Sequence, residues 1–270
     1  MQRPRLVACD VDGTLLDPLE RVSQRTRDVG HRLVGTGTPF VLATGRPPRW
    51  IPTVVDAIGL PGYAVCCNGA VLYDAVVDQV VCAKELDPVL LRDVADALHR
   101  ALPGSFLGAE RAGSNARRPD GPVFVTESGY THPWADDDPM TAPRAELLGL
   151  PAVKLLIRHE AMTSEEMAVA ASAVVGDAVD VTFSIGVGLI EVSVPGVSKA
   201  NGLAEVIELF GVRREDVIAF GDMPNDLSML RWAGHSVAMG NAHPDVLAVA
   251  DEVTTSNAED GVAQVLERWF

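Results

Sequence analysis

The sequence predicts an α/β fold: a parallel sheet covered by helices on both faces, with an α+β module inserted into it. Two observations predict this. Short apolar runs recur, each followed by a polar, glycine-containing loop and then a helical stretch, which is the pattern of parallel strands buried on both sides. That pattern breaks between about 83 and 189, where helices alternate with strand pairs, and it returns after 199. The chain has 270 residues, enough for about two domains and a substantial core. Aromatic residues make up only 5%, so Val, Leu and Ala must build most of that core.

The elements follow in order. Residues 5–9 read as a buried strand, 21–34 as a helix with Ser23 as its cap, and 39–43 as a second strand. A helix over 48–58 and a strand over 63–67 continue the alternation, and 71–83 read as a hairpin. Residues 87–101 form the first helix of the insert. The stretch 103–146 is rich in Pro, Gly, Asp and Arg, with a short strand at 122–126. Strands at 153–158, 181–185 and 188–193 flank a helix at 163–175. The parallel pattern resumes with a helix at 199–210, a strand at 216–220, a short helix at 225–232 and a strand at 235–239. Helices at 244–250 and 259–269 enclose a short edge element. The expected organisation is a core over 1–82, an insert over 83–188, and the second part of the core over 189–270.

Composition narrows the partners. The formal charge is −15 and the pI about 4.7, with no Lys/Arg block to offset it. Nucleic acid and anionic membranes are therefore not expected partners. A small anionic substrate remains compatible, because a metal and a local cation reverse the field within one pocket. The cysteines, Cys9, Cys66, Cys67 and Cys82, have no CxxC spacing and read as free thiols of a reducing compartment. With no secretory leader pattern and no long uncharged apolar run, the expected location is the cytoplasm.

The chemistry is concentrated in polar segments at the predicted strand ends. Asp10 and Asp12 follow the first strand, directly before Gly13, whose freedom lets the chain turn so that both acids face one pocket. A carboxylate there can attack phosphorus, and a second can protonate the leaving oxygen and later deprotonate water. Thr44, with Gly45, ends the second strand and offers a hydroxyl and backbone N–H groups to phosphate oxygens. Arg46 fits either of two roles, neutralising phosphate or pinning a neighbouring loop. Lys199 follows Ser198 at a helix start and can balance Asp10 and a bound phosphate. The run GlyAspMetProAsnAsp at 221–226 supplies Asp222. Together, Asp10, Asp222 and the carbonyl of Asp12 form an oxygen set suited to Mg2+, with Asn225 and Asp226 holding metal waters or fixing Lys199. An Asp/Asn cap on the following helix is compatible with this. The histidines are scattered and form no zinc-like cluster.

These segments resemble those of haloacid dehalogenase-like (HAD) phosphatases of the Cof-type, subgroup IIB, whose core is a Rossmannoid parallel sheet with an inserted α+β cap of the C2B type. AspValAspGlyThrLeu at 10–15, AlaThrGlyArg at 43–46, GlyValSerLys at 196–199 and GlyAspMetProAsnAsp at 221–226 match its four motifs in order. The resemblance implies Asp10 as nucleophile, Asp12 as acid/base, Thr44 as phosphate ligand, Lys199 as the catalytic lysine and Asp222 as metal ligand. It also implies that Asn68, in AsnGlyAla at 68–70, faces the phosphate pocket, and that 257–262 packs beside the active site. AlaAsn at 200–201 departs from the glycine usual after the lysine. The implied activity is Mg2+-dependent hydrolysis of a small-metabolite phosphomonoester, such as a sugar phosphate, pyridoxal phosphate or flavin mononucleotide, through an aspartyl phosphate. A phosphomutase and a non-catalytic phosphometabolite-binding protein are the alternatives. On the insert, Arg111, Arg117, Arg118, His132 and Trp134 are candidate substrate contacts, although a solvated loop explains them better, because the acidic run 134–138 would repel anions.

Overall fold

A computed structural model describes residues 2–60, 62–131 and 139–270. The chain runs through β1 (Leu6–Cys9), α1 (Gln24–Gly35), β2 (Phe40–Ala43), α2 (Ile51–Ile58), β3 (Tyr63–Cys66), β4 (Val71–Asp74) and β5 (Gln79–Ala83). The insert carries α3 (Pro88–Ala101), β6 (Phe106–Glu110), β7 (Phe124–Thr126), β8 (Met140–Thr141), α4 (Arg144–Leu147), β9 (Lys154–Arg158), α5 (Ser164–Val175), β10 (Asp180–Thr182) and β11 (Leu189–Ser193). The core then resumes with α6 (Lys199–Phe210), β12 (Val217–Gly221), α7 (Leu227–Trp232), β13 (His235–Ala238), α8 (Pro244–Leu247), β14 (Glu252–Val253) and α9 (Gly261–Leu266).

The core sheet has the order β14-β13-β12-β1-β2-β3-β4-β5. Its strands are parallel from β14 through β3, and β4 turns back antiparallel. All residues of β1, β2 and β12 are buried, as expected of strands covered on both faces. The helices obey local rules. Ser23 caps α1 by accepting from the Thr26 amide, and α1 buries Val29 and Leu33 while α2 buries Ile51, Val54, Val55 and Ile58. The chain order places β2 on one side of β1 and β12 on the other, so the sheet changes winding direction at β1. The carboxyl ends of strands at such a point form a crevice where ligands bind. Asp10, Thr44 and Asp222 each follow the end of one of these three strands.

The second unit, Cys82–Val197, has its own sheet, ordered β10-β11-β9-β6-β7-β8. It is antiparallel apart from the β7–β8 pair. Leu155 and Ile157 of β9, with Leu107, Ile190 and Val192, pack in one cluster with Leu91 and Leu98 of α3 and Met167 of α5. The alternate residues of β9 and β11 include Lys154 and Glu191, a buried ion pair at 3.1 Å.

The second boundary of the insert is corrected. Residues 189–197 were expected in the core, but β11 hydrogen-bonds β9 and β10, and the core resumes at Ser198. The run 188–193 is apolar enough to suit either sheet, so composition alone misassigns it. Strand β6 was not expected at all. Gly108 interrupts its apolar pattern, and the reason is tertiary: a Cβ there would lie 3.2 Å from the Phe124 ring and 3.3 Å from the Tyr130 ring. The expected strand 181–185 ends at Thr182, and the helix expected over 244–250 ends at Leu247. Among the described residues, no helix is long and apolar enough to cross a membrane.

Candidate active site

The site is assembled from the loops that leave β1, β2, β3 and β12, together with the first residue of α6. Asp10 leaves β1 in an extended conformation, Asp12 is extended too, and Gly13 then turns with φ 77°. Glycine is required at 13 for space as well as conformation, because the Asp222 carboxylate occupies the place of a side chain. Thr14, one residue on, donates its hydroxyl to Asp222 Oδ1 at 2.9 Å. The first and fourth motifs are thus held together by a missing side chain and a hydrogen bond.

Lys199 is fully buried at the start of α6. Its Nζ donates to Asp10 Oδ1 at 2.5 Å and to Asp226 Oδ1 at 2.6 Å. The other oxygen of Asp226 accepts the backbone N–H groups of Asp222 (2.9 Å) and Met223 (3.0 Å). Asp226 is therefore saturated by one lysine and a turn, and it fixes both Lys199 and the loop that carries Asp222. Ser198 caps α6 by accepting from the Asn201 amide, which sets the lysine at the first helical position.

Asp10, Asp222 and Asp226 offer carboxylate oxygens that all lie within 4.8 Å of one another. Burial, and then the neighbouring Asp226, push the Asp10 carboxyl well above the usual range, with Lys199 opposing. The same two causes raise Asp222 to about 7. Burial works against the charge on Lys199, but Asp10 and Asp226 overcome it and hold its pKa above that of a free lysine. Three crowded acids against one ammonium leave an excess of negative charge that a cation would relieve. Every donor in the cluster is oxygen, which suits a hard divalent ion. Asn225 Oδ1 is a further buried acceptor with no hydrogen-bond partner among the described residues. The cluster thus fits a metal ion, with Asp10 and Asp222 as the carboxylates not already saturated.

Thr44 is buried, and its hydroxyl accepts the Arg46 amide at 3.0 Å, closing a tight turn at the end of β2. Arg46 forks onto Asp12, with Nε 2.9 Å from Oδ2 and Nη2 2.6 Å from Oδ1. Of the two roles read for Arg46, the one seen is an intramolecular brace, on a carboxylate whose side chain is 48% exposed. Gly45 lies beside the Asn68 amide. Asn68 was expected to serve phosphate; its Oδ1 accepts from Asn225 Nδ2 at 3.0 Å. Asn225 therefore bonds Asn68, where support of Lys199 had been one of its expected roles.

Three residues that hold the loop after β1 had no site role in the sequence reading. Thr14 lies inside the first motif. Asn241 donates to the Gly13 carbonyl at 2.9 Å, and Asn257 to the Leu16 carbonyl at 2.7 Å. Asn257 opens the tail segment expected beside the site. Asn241 lies in GlyAsnAla after β13, a polar triplet at a strand end like the others, which was the available signal. On the insert, Arg111 reaches the carbonyls of Pro122 (3.3 Å) and Leu147 (3.5 Å), so it braces its own loop. Arg117 and Arg118 are exposed. His132, Trp134 and the acidic run 134–138 lie outside the described residues. The Cys9 thiol, next to Asp10, is buried and pushed well above its usual pKa, first by that burial, so it is no nucleophile.

Comparison with known proteins agrees with this geometry. The model of the haloacid dehalogenase-like hydrolase family matches residues 7–266. The chain is 30% identical to the 5-amino-6-(5-phospho-D-ribitylamino)uracil phosphatase YitU of Bacillus subtilis, over 99% of this chain and 98% of that one. It is 29% identical to the pyridoxal phosphate phosphatase YbhA of Escherichia coli, over 97% of both. The solved structure of a HAD subclass IIB sugar phosphatase shares the fold with a TM-score of 0.81, at 22% identity over 98% of both chains. A parallel core sheet, a separate inserted sheet and acids grouped at the strand ends accompany a family match over nearly the whole length: the chain belongs to the haloacid dehalogenase-like hydrolases, among their phosphatases.

Proposed function

We propose that this protein is a Mg2+-dependent phosphomonoesterase acting on a small phosphorylated metabolite through a phosphoryl group carried on Asp10. The observation that carries the reading is the buried Lys199, bridging Asp10 and Asp226 beside Asp222 at the ends of β1 and β12. A structural ion pair would need one carboxylate; three around one lysine leave charge for a cation and an anionic substrate to share. Asp10, Asp222 and the carbonyl of Asp12 would hold the ion, with Asn225 and Asp226 in support. When bound, Mg2+ supplies positive charge against the phosphoryl oxygens.

In the first step a carboxylate oxygen of Asp10 bonds to phosphorus and the ester P–O bond breaks. Asp12 gives its proton to the departing oxygen. In the second step water attacks phosphorus, Asp12 takes the water's proton, and the acyl phosphate bond breaks to return Asp10 and inorganic phosphate. Lys199 keeps Asp10 in place and offsets charge as the phosphoryl group arrives. Thr44 and the N–H groups around Gly45 receive phosphoryl oxygens, with Arg46 adjoining them through Asp12. The names of the relatives support a phosphorylated small metabolite as substrate. Four cysteines held as thiols, three of them buried, support the cytoplasm as its location.

The test is hydrolysis of an aryl phosphate with Mg2+ and with chelator, alongside Asp10→Asn. We expect turnover that needs the metal, and a variant that keeps its circular dichroism but loses at least about 10³-fold in rate. Metal-independent turnover, or an active Asp10→Asn enzyme, would refute the assignment. Turnover in heavy-oxygen water separates hydrolysis, which labels the phosphate released, from phosphoryl return to a substrate.

A further inference from the structure

The turn after β3 is the only run of three consecutive positive φ angles among the described residues: Cys67 at 50°, Asn68 at 56° and Gly69 at 107°. Two of the three are not glycine, so the conformation is costly, and it persists because its surroundings enforce it. The Cys67 N–H donates to the Arg46 carbonyl at 3.0 Å, and the Asn68 N–H to the Thr44 carbonyl at 2.9 Å. Gly69 lies against the Ser198 carbonyl so closely that a Cβ would collide with it. The side chain of Asn68 reaches Asn225. One strained turn therefore touches the second, third and fourth motifs together.

The bond between the two amides has a direction. An amide side chain carries one acceptor oxygen and one donor NH2 group. Asn68 presents its oxygen, so Asn225 must present its nitrogen, and the Asn225 oxygen is left buried without a partner. The opposite orientation of Asn225 would set oxygen against oxygen. Gly45 leaves room for the pair, since a Cβ there would already lie 3.3 Å from Asn68 Oδ1.

We propose that Asn68 is a positioning residue that fixes the amide orientation of Asn225, leaving Asn225 Oδ1 as the acceptor for hydration water that Mg2+ retains. Mg2+ gives up its waters reluctantly, and a fixed acceptor on the turn between Asp222 and Asp226 would hold such a water without displacing it. The strained turn, enforced by its surroundings, delivers the Asn68 oxygen to this position. The inference rests on the metal site assigned under the proposed function, and it deepens that reading.

The test is calorimetric titration of the full-length resting protein with Mg2+, with metal-free melting temperature measured alongside. Asn68→Gly keeps the positive φ and removes the acceptor; we expect Mg2+ affinity to fall at least about tenfold with the metal-free melting temperature near wild type. Asn68→Ser shortens the acceptor out of reach without adding backbone freedom, and repeats the test if the glycine variant does not fold. Asn68→Asp keeps the acceptor and should bind within about threefold of wild type. Wild-type affinity in the folded glycine or serine variant would overturn the role of Asn68, as would equal weakening in the aspartate variant. Asp222→Asn separates the two readings: it should abolish the titration, and wild-type binding there would refute the metal site itself.

Discussion

The core and the insert use the same charged residues in opposite ways. In the core, Asp10, Asp222 and Asp226 crowd around one lysine, and two of them are raised well above the ordinary carboxylate range. In the insert, charges are matched within their own structure. Lys154 meets Glu191 at 3.1 Å, Arg144 meets Glu127 at 2.5 Å, and Arg111 is committed to backbone carbonyls. Crowding is unfavourable for stability, and a fold retains it where a cation and a substrate complete the balance. Matched charges need no ligand. The comparison supports the proposal that the chemistry sits in the core, on electrostatic grounds alone.

Removing the lysine from the crowd should have the largest effect on stability. Lys199→Met leaves two buried carboxylates facing each other, and we expect a loss of about 3–5 kcal/mol by denaturant titration. Turnover should fall at least about 10²-fold if Lys199 offsets charge as the phosphoryl group arrives, as the proposed mechanism requires. A variant of wild-type stability and rate would show that the acids are not crowded as described.

A pH series sharpens the comparison. Asp222 titrates near 7 in the folded, metal-free protein and lower when unfolded. Its proton therefore favours the fold below the unfolded pKa, and that contribution fades as pH rises through about 7. Above that point the carboxylate is charged and open to a cation. The rise in melting temperature caused by Mg2+ should thus be small at about pH 6 and larger at about pH 8, and Asp222→Asn should remove the difference. The paired acids of the insert offer no comparable dependence on Mg2+.

The smallest effects come from the two arginine braces. Arg46→Ala frees the Asp12 carboxylate, which the Arg46 fork now orients, and should reduce kcat roughly tenfold with little change in stability. Arg111→Ala removes two long bonds to carbonyls and should cost no more than about 1 kcal/mol. An Arg111 effect on kcat larger than that of Arg46 would reverse the assignment of chemistry to the core.

The same contrast governs what was legible in the sequence. The core strands are continuous apolar runs that end in polar residues, so β1, β2, β3 and β12 could be read to within a residue or so, and the acids with them. What held those acids was less visible. Thr14, Asn241 and Asn257 act through hydrogen bonds across large sequence separations, and the local signs were only the strand-end triplet around Asn241 and the tail segment that Asn257 opens. The partner of Asn68 was hidden for the same reason: Asn225 lies 157 residues away. In the insert, β6 was obscured by Gly108, which is there for two aromatic rings that only the folded chain brings near. The boundary at 198 depended on which sheet β11 joins, and strand pairing is a property of the whole fold.

The central claim is that Asp10 carries the phosphoryl group. Acid quenching during turnover of an aryl phosphate, followed by peptide mass analysis, measures it directly. The account predicts an acid-stable adduct of one phosphoryl group on the peptide containing Asp10, absent from Asp10→Asn and absent when Mg2+ is chelated. Turnover without an adduct at any time point, or an adduct on another residue, would contradict it.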